Sequence, residues 1–480
     1  MIHSLYRKQH IEEYDDYSSD YSDEEDILPI LDYENEIIEN IKNNQVVIMT
    51  GETGSGKSTQ IPQMLYRHGY FLLILFYLVF LKMVELLLAS HAVLLLLTLL
   101  VMLQMKCIVN WVMKWVILFG NLFIFLFYYS FDDNTSNRTI IKYITDGCLI
   151  REFFSDSQVS NYSVIMLDEA HDRSINTDIL FGLCKTLLPK RPDLRLIITS
   201  ATLDIQQFHS FYPGSITMEI PGRLYPVAIF HSKDPISSSQ DEAISRAVDT
   251  VKKIHKLEMG HVLVFLPGQY EIEKAKRMIE DWFDDEHSHY RYDLRVFPLY
   301  AALPAEQQAF VFQPVHSNTR KVVIATNIAE TSVTVSGIRY VVDPGFTKEK
   351  SYDAHTGMDS LDIVKTSKAA AQQRAGRAGR TGPGKCFRLY DQQAYECFAD
   401  TTLPEIKRCS LLSTALYLKV LGIDDVLNFD FIDPPDKIAL SVALKQLYIL
   451  NALDENGQIT SLGKKLSNLP LDPSLVSLFI

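Results

Sequence analysis

A glycine-rich stretch between residues 51 and 59 has the residue types that grip a triphosphate. Its spacing fits G-x-x-x-x-G-K-[ST], with Lys57 and Ser58 at the last two positions. Glycines let the backbone turn tightly and point N–H groups at phosphate oxygens. Lys57 would reach the β- and γ-phosphates, and the Ser58 hydroxyl would ligate Mg²⁺. The candidate nucleotide-binding residues are Gly51, Glu52, Thr53, Gly54, Ser55, Gly56, Lys57, Ser58 and Thr59.

The residues around this stretch supply the strand and the helix that such a loop requires. Val46–Thr50 is apolar and rich in β-branched residues, which predicts a buried parallel strand. The run from Ser58 to Tyr66 predicts a helix, whose N-terminus favours an anion. The alternative is a glycine-rich turn that matches by chance, and the correctly placed strand argues against it.

An acidic pair follows a second apolar run. Residues 162–167 predict another buried strand, which ends at Asp168-Glu169-Ala170-His171. Downstream of a phosphate loop, Asp168 would hold Mg²⁺ through water, and Glu169 would act as general base on the attacking water. We expect His171 to link this site to a second domain. The alternative is a strand-end turn with solvated carboxylates, which the phosphate loop upstream disfavours.

Two arginines near residue 380 are candidates for contact with the γ-phosphate. Arg377 and Arg380 lie three residues apart, a spacing that puts both side chains on one helix face. The glycines around them allow a partner to approach closely. If they reach across a cleft as arginine fingers, hydrolysis depends on domain closure, which can convert ATP turnover into movement. A solvated basic helix is the alternative.

Composition bounds the class of protein. The 480 residues suffice for two to four domains, and the apolar share of 47% is that of a globular protein. More than half of the net charge of −13 comes from residues 1–27, which contain nine carboxylates and only two cations. This stretch predicts a disordered acidic tail and is not a signal peptide, and the remainder leaves room for a local basic groove. The six cysteines form no C-x-x-C pair, which favours a reducing compartment.

The order of predicted elements indicates an α/β protein. Strands and helices alternate in two blocks, which predicts two doubly wound parallel-sheet domains at residues 28–225 and 226–400. Pro213–Pro226 is rich in proline and glycine and predicts a linker. Residues 401–480 predict a mainly helical domain, with an amphipathic helix at Ser441–Leu453 and a short hairpin and helix after Gly457.

Residues 71–130 break this pattern. Leu86–Leu103 is almost uncharged and long enough to span a membrane, but a span there would separate Lys57 from the acidic pair. We also read the segment in a shifted frame, in which each codon joins the last base of one printed codon to the first two bases of the next. Whatever synonymous codons are used, the shifted codons then encode Glu across residues 105–106, Leu across 110–111 and Gly across 111–112. Our hypothesis is that about residues 71–130 are mistranslated or intron-derived, and that the first domain therefore lacks a core strand. Sequencing the transcript across codons 66–135 tests it.

Five strings stand in order along the chain: G-E-T-G-S-G-K-S-T, D-E-A-H, S-A-T, T-N-I-A-E-T-S and Q-R-A-G-R-A-G-R. In this order they resemble the motifs of DEAH-box RNA helicases of superfamily 2. The resemblance runs from about residue 28 to the C-terminus, except for residues 71–130. The shifted reading of that segment resembles the family's missing motifs, which supports the frame hypothesis. The resemblance implies two RecA-like domains followed by a winged-helix domain.

The resemblance also implies roles for individual residues. Gln373 would position the lytic water, with Arg377 and Arg380 as fingers. Ser200 and Thr202 would couple hydrolysis to unwinding, and Phe312 would stack on the nucleotide base. The residues implied to contact RNA are Thr145, Asp146, Gly147, Arg151, Pro267, Gly268, Thr326 and Asn327.

The implied activity is ATP-dependent 3′-to-5′ translocation on RNA, with unwinding of RNA or remodelling of RNA–protein complexes. The implied cofactors are ATP and Mg²⁺, with other nucleoside triphosphates as substitutes. The implied partners are RNA and G-patch-type or other activator proteins, in an intracellular and chiefly nuclear setting such as splicing or ribosome assembly. No membrane partner is expected.

Two other functions stay open. The chain ends about where the family's winged helix finishes, so it resembles a fragment, and a misspliced or truncated product without catalysis is one alternative. A membrane-anchored NTPase with Leu86–Leu103 in the bilayer is the other. An ATPase assay and carbonate extraction of membranes separate them.

Overall fold

The structure is a computed structural model that describes most of the chain between residues 28 and 477. The described ranges are 28–52, 54–70, 73–77, 126–128, 139–201, 205–222, 225–236, 239–286, 290–330, 335–353, 356–469 and 472–477. The predicted acidic tail at residues 1–27 and the candidate membrane span at residues 86–103 lie outside them. In the described ranges, no helix has both the length and the apolarity needed to cross a membrane.

Fifteen strands and fourteen α-helices are described. The strands are β1 Val46–Thr50, β2 Leu73–Tyr77, β3 Leu126–Tyr128, β4 Ile141–Ile144, β5 Tyr162–Leu167, β6 Arg195–Ser200, β7 Ile216–Glu219, β8 Val227–His231, β9 His261–Phe265, β10 Asp293–Leu299, β11 Thr319–Ala325, β12 Ile338–Asp343, β13 Phe346–Asp353, β14 Met358–Lys365 and β15 Gly384–Arg388.

The helices are α1 Glu34–Asn43, α2 Lys57–Arg67, α3 Asp146–Ser155, α4 Ile175–Leu187, α5 Ile205–Phe211, α6 Gln240–His255, α7 Gln269–Glu286, α8 Ala305–Ala309, α9 Lys368–Gly376, α10 Gln392–Glu396, α11 Leu412–Val420, α12 Lys437–Ile449, α13 Ser461–Ser467 and α14 Pro473–Val476. Short 3₁₀ turns lie at Pro29–Tyr33, Ala170–Asp172, Leu188–Lys190, Asn327–Ala329, Arg377–Gly379, Glu405–Lys407 and Val426–Asn428.

The first sheet has seven parallel strands in the order β3-β4-β2-β5-β6-β1-β7. Alternate side chains of β1 enter different cores, because successive residues of a strand point to opposite faces. Val47 and Met49 pack with α1 and α2 on one face. Val46 and Ile48 pack with α3, α4 and α5 on the other. The phosphate loop follows β1, which pairs with β6 on one side and with the edge strand β7 on the other, as the apolar run before the loop predicts.

Two expectations about the first domain are corrected. The predicted linker Pro213–Pro226 contains the edge strand β7, which pairs with β1. Four residues flanked by proline and glycine are too short for periodicity to reveal a strand. The segment 71–130 was expected to lack a core strand, yet β2 lies between β4 and β5. Central parallel strands are formed by continuous apolar runs, and the five residues of β2 are such a run whether or not the segment is mistranslated or intron-derived.

The second sheet has six parallel strands in the order β10-β11-β9-β12-β15-β8. Helices α6 and α7 cover one face. The other face packs on residues around Ala375 and Ala378, at the end of α9. The prediction of two doubly wound parallel-sheet domains is therefore confirmed, while the boundaries 28–225 and 226–400 remain predictions.

The C-terminal region is mainly helical, as predicted, and packs on the first sheet's helices. Residues from α4 and α11 share one hydrophobic core. Arg173 forms ion pairs with Asp178 of α4 and with Asp433, each at 2.7 Å. A Cβ atom on Gly182 would lie 2.4 Å from the ring of Phe429. The first domain and residues from about 405 onward therefore form one packed unit.

This close approach predicts that Gly182→Val loosens the C-terminal region. The added side chain has to displace a phenyl ring and backbone, and such overpacking costs roughly 1–3 kcal/mol. We expect a lower urea midpoint and faster proteolysis beyond residue 400. Gly147→Ala is the matched control, because its added Cβ would have its nearest neighbour at an ordinary 3.5 Å. Equal behaviour of the two variants would contradict this packing.

Candidate active site

The phosphate loop folds around the ammonium group of Lys57. Lys57 Nζ donates to the carbonyl oxygen of Glu52 at 2.8 Å and lies 3.2 Å from Ser55 Oγ. Burial lowers the pKa of Lys57, and Asp168 and Glu169 oppose that shift. These two carboxylates therefore stabilise the cation in the position where a phosphate chain would meet it.

Gly51 is required at the start of the loop for two reasons. Its φ of 158° is at the limit of what L side chains adopt, and a Cβ there would lie 2.4 Å from the carbonyl oxygen of Ile220. Gly54 and Gly56 have φ values of 94°, in the region that glycine favours. Thr59 Oγ1 donates to the Gly56 carbonyl at 3.3 Å, and Thr53 lies outside the described residues.

Ser58 and Asp168 meet at the carboxyl end of the sheet. Ser58 Oγ donates to Asp168 Oδ2 at 2.6 Å, and Thr199 Oγ1 donates to the other carboxylate oxygen. Burial raises the pKa of Asp168, and the two hydroxyls oppose that shift. Thr199 was not predicted to be a site residue, because in the sequence it belongs to an apolar run that predicts a strand. A serine hydroxyl beside a carboxylate offers the hard oxygen ligands that Mg²⁺ prefers, so these residues fit that ion.

Glu169 is held in an unusual backbone conformation directly after the strand. Its φ is 51° and ψ is 40°, in the left-handed region that non-glycine residues rarely adopt. Burial, together with Asp168 and Asp172, raises its pKa well above the ordinary value. A buried carboxylate with a raised pKa is a stronger base than a solvated one, which suits a group that takes a proton from water.

His171 is buried and neutral, because burial lowers its pKa to about 4. The backbone N–H of Ala201 donates to Nδ1 at 3.3 Å, and Ser200 Oγ lies at the same distance from that atom. These hydrogen bonds join His171 to first-domain residues at the end of β6, and Arg377 of the second domain is close enough to help lower its pKa. A link from His171 to the second domain remains a prediction. Thr202, the other predicted coupling residue, lies outside the described residues.

Arg377 and Arg380 face the acidic pair from the second domain. Burial and Arg380 lower the pKa of Arg377, and Glu169 raises it. Burial lowers the pKa of Arg380 to about 10, with Glu169 and Glu52 opposing. Both guanidiniums are therefore close enough to Glu169 of the first domain to interact with it electrostatically.

The predicted shared helix face needs a correction. Helix α9 ends at Gly376, and a 3₁₀ turn at Arg377–Gly379 leads to Arg380. That turn, rather than continuous α-helix, brings the two side chains to the same cleft. Gln373 lies in α9, four residues before Arg377.

Arg374, between these residues, was not singled out in the sequence. Its guanidinium is buried and bonds Glu330 Oε1 at 2.7 Å and Asp343 Oδ1 at 2.8 Å. Tyr390 donates to the second oxygen of Asp343 at 2.8 Å. Burial alone would lower the pKa of Arg374, but the two carboxylates outweigh it and the pKa is raised. This ion-pair network ties α9 to β12 and to the turn after β11.

We expect Arg374→Met to destabilise the protein by about 3–5 kcal/mol, because the substitution leaves buried carboxylates without their cation. The measurement is urea unfolding followed by circular dichroism. Lys274→Met is the control, since Lys274 forms a solvated pair with Asp241 at 2.6 Å. A midpoint for Arg374→Met equal to that of the control would show that the network contributes little.

The predicted RNA-contacting residues of the first domain cluster at the N-terminus of α3. Thr145 caps this helix by accepting from the N–H of Cys148 at 3.4 Å. Asp146 accepts from Ser174 Oγ at 2.9 Å, and Gly147 follows it. Arg151 lies one turn further along α3, near Tyr417 of the C-terminal region.

Their counterparts in the second domain follow strand ends. Pro267 and Gly268 come after β9, and a Cβ on Gly268 would lie 2.3 Å from Lys348 Nζ. Thr326 and Asn327 come after β11, where the Thr326 N–H donates to Leu299 at 3.1 Å. Because parallel strands end at one edge of a sheet, these residues share that edge.

Phe312 is half-buried and packs on the core beside Ala375 and Ala378. This core borders the turn that carries the two arginines. The stacking of Phe312 on a base remains a prediction.

Comparison with known proteins gives four similarities. Residues 243–382 match the model of the Helicase conserved C-terminal domain, and residues 443–471 match the Helicase associated domain (HA2), winged-helix. The Pre-mRNA-splicing factor ATP-dependent RNA helicase prp22 of Schizosaccharomyces pombe is 43% identical over 462 residues, 94% of this chain and 37% of that relative. The crystal structure of the Escherichia coli DEAH/RHA helicase HrpB aligns with a TM-score of 0.78 at 28% identity, covering 94% of this chain and 54% of that one. The chain thus spans about a third to a half of the length of these proteins.

Proposed function

Since this chain belongs to the DEAH-box helicase family, we propose that it hydrolyses ATP to move along RNA and to unwind it or remodel its protein complexes. The observation that carries this proposal is the cleft itself. What supports it is that Lys57 and Glu169 of the first domain interact electrostatically, and that Arg377 and Arg380 of the second domain both interact with Glu169.

The nucleotide would lie on the loop at residues 51–59, with its phosphates near Lys57. Ser58 and Asp168 would hold Mg²⁺, which neutralises charge on the β- and γ-phosphate oxygens when bound. Glu169 would accept the proton of the attacking water, positioned with the help of Gln373. The guanidiniums of Arg377 and Arg380 would stabilise the negative charge that develops on the γ-phosphate.

The coupling of ATP hydrolysis to movement along RNA would follow from the division of these groups between two domains. The arginines come from one sheet and the base from the other, so hydrolysis requires the cleft to close. The predicted RNA contacts lie at strand ends and a helix N-terminus of both domains, such as Asp146 and Thr326. RNA would lie across both, held by phosphate and sugar contacts with little sequence readout. Closing and opening would then step the strand.

The finer assignments rest on similarity to helicases. The 3′-to-5′ polarity is a family expectation, as is stimulation by G-patch-type activators. The S. pombe relative is a splicing factor, which supports a nuclear role for this chain in pre-mRNA splicing over ribosome assembly.

RNA-stimulated ATPase and strand displacement test this proposal. The chain as printed is compared with a version whose residues 71–130 are recoded from the transcript, on duplexes with a 3′ or a 5′ overhang. We expect ATP-dependent displacement of the duplex with the 3′ overhang. Turnover only in the recoded version would identify the printed chain as a non-catalytic product. Turnover in neither would overturn the proposal.

A further inference from the structure

The second sheet ends at an open strand. Among the described residues β10 pairs only with β11, so its outer edge has no neighbouring strand. β10 contains Pro298, a residue that sheets confine to edges because it lacks an N–H. An unpaired edge offers backbone donors and acceptors to another extended segment.

The hydrogen bonds at the two ends of β10 show which groups face outward. The Asp293 N–H donates to Asn318 at 3.0 Å, and the Leu299 carbonyl accepts from Thr326 at 3.1 Å. Since successive residues of a strand alternate in direction, the odd-numbered residues bond β11. Both polar backbone groups of Val296 therefore point away from the sheet, together with the carbonyl oxygen of Pro298.

This edge forms part of a groove with a cavity volume of about 710 Å³. The last turns of α7 form one wall, and residues 310–315 form the other. The groove exposes aromatic surface, because Phe297 is half-buried and Phe310 is 48% exposed. Its shape and lining suit an extended chain with apolar side chains, which needs both a backbone partner and apolar contacts.

The charge of the groove indicates what kind of chain fits. Glu280, Asp281 and Asp284 line it, against one cation, Arg295. Burial raises the pKa of Glu280, Lys276 lowers it, and the neighbouring carboxylates Asp284 and Asp281 raise it further. This surface repels a phosphate backbone and attracts lysine and arginine.

We propose that this groove binds an extended basic segment of a partner protein, which adds to the second sheet as a strand beside β10. Apolar side chains of the segment contact Phe297 and Phe310, and its cations pair with Glu280 and Asp281. The groove and β8 lie at opposite edges of the second sheet. Just before β8, the backbone N–H of Tyr225 donates to Gly379, in the turn that carries Arg377. An occupied groove therefore leaves the nucleotide cleft open, and the inference stands independently of the proposed function.

The test uses the full chain and a fluorescein-labelled octapeptide of alternating lysine and valine, with binding followed by fluorescence anisotropy. We expect saturable binding that weakens at least about tenfold, or 1.4 kcal/mol, in the double variant Glu280→Lys and Asp281→Lys. The same peptide with alternate backbone amides N-methylated should also bind at least about tenfold more weakly, because it loses ladder hydrogen bonds. Asp249→Lys, an exposed charge reversal on α6, is the matched control and should bind normally.

Several results would overturn the proposal. Equal binding to wild type and the double variant would place the peptide elsewhere on the protein. Equal binding of the N-methylated peptide would exclude strand addition. Displacement of the peptide by an oligouridylate of the same length would identify the groove as an RNA surface instead. Circular dichroism of each variant confirms that lost binding does not reflect lost folding.

Discussion

Lys57→Ala and Glu169→Gln are each expected to abolish RNA-stimulated ATP turnover. The first removes the cation that Asp168 and Glu169 hold at the phosphate loop. The second keeps the shape of the buried side chain but removes the proposed proton acceptor, and losing a general base costs about 10²–10⁴ in rate. The measurement is phosphate release at saturating RNA in the recoded protein.

The two variants should differ in nucleotide binding. Lys57→Ala should bind a fluorescent ATP analogue much more weakly, because the phosphates lose their cation. Glu169→Gln should bind it at least as well as wild type, since removing a negative charge near the γ-phosphate does not weaken binding. Lys42→Ala and Glu39→Gln, both exposed on α1, are the matched controls. Turnover retained in both site variants would refute the assignment of this cleft as the catalytic centre.

Local pattern was enough to predict the parts of the site that lie within one short stretch. The phosphate loop and the residues after β5 each follow an apolar strand, and the structure puts both at one edge of the first sheet. The strand at Tyr162–Leu167 has the predicted bounds. Such stretches combine a strand, a turn and a charged group. All three features depend on neighbouring residues alone, so they can be predicted without knowing the rest of the fold.

Features that depend on distant residues could not be predicted in this way. Arg374 is one position in a basic motif, and its partners Glu330 and Asp343 lie 44 and 31 residues away in the chain. Thr199 is indistinguishable from a β-branched strand residue until the structure shows its hydroxyl on Asp168. The shared core of α4 and α11 likewise joins segments more than 200 residues apart.

The left-handed backbone conformation of Glu169 could not be predicted either, for a different reason. No local rule puts a non-glycine residue there, and the neighbouring sequence contains no turn signal that demands it. The conformation costs about 1–3 kcal/mol and persists only because the surrounding structure imposes it. In this conformation the Glu169 carboxylate lies 3.5 Å from His171 Nδ1, and Arg377 is close enough to lower the pKa of Glu169. The residue proposed as general base is thus predicted by its position in the sequence, while its backbone conformation is not.

The second large effect is expected from the two arginines. Arg377→Lys and Arg380→Lys keep the positive charge but lose the planar fork that contacts two oxygens at once. Arginine fingers contribute about 10³–10⁵ in kcat, so we expect losses approaching that range in either variant. ATP affinity should change far less than kcat, because the guanidiniums act mainly on charge that develops during the reaction. Single-turnover hydrolysis with and without RNA measures this difference.

The sharpest comparison is with an arginine of the same domain that lies away from the cleft. Arg277→Lys on α7 is exposed and should leave both kcat and ATP affinity unchanged. Arg377 is 4% exposed, so a thermal midpoint for each variant must accompany the kinetics. A folded Arg377→Lys protein with normal turnover would show that the second domain does not complete the catalytic site. Hydrolysis would then be independent of cleft closure, and the coupling of ATP turnover to movement would lose its physical basis.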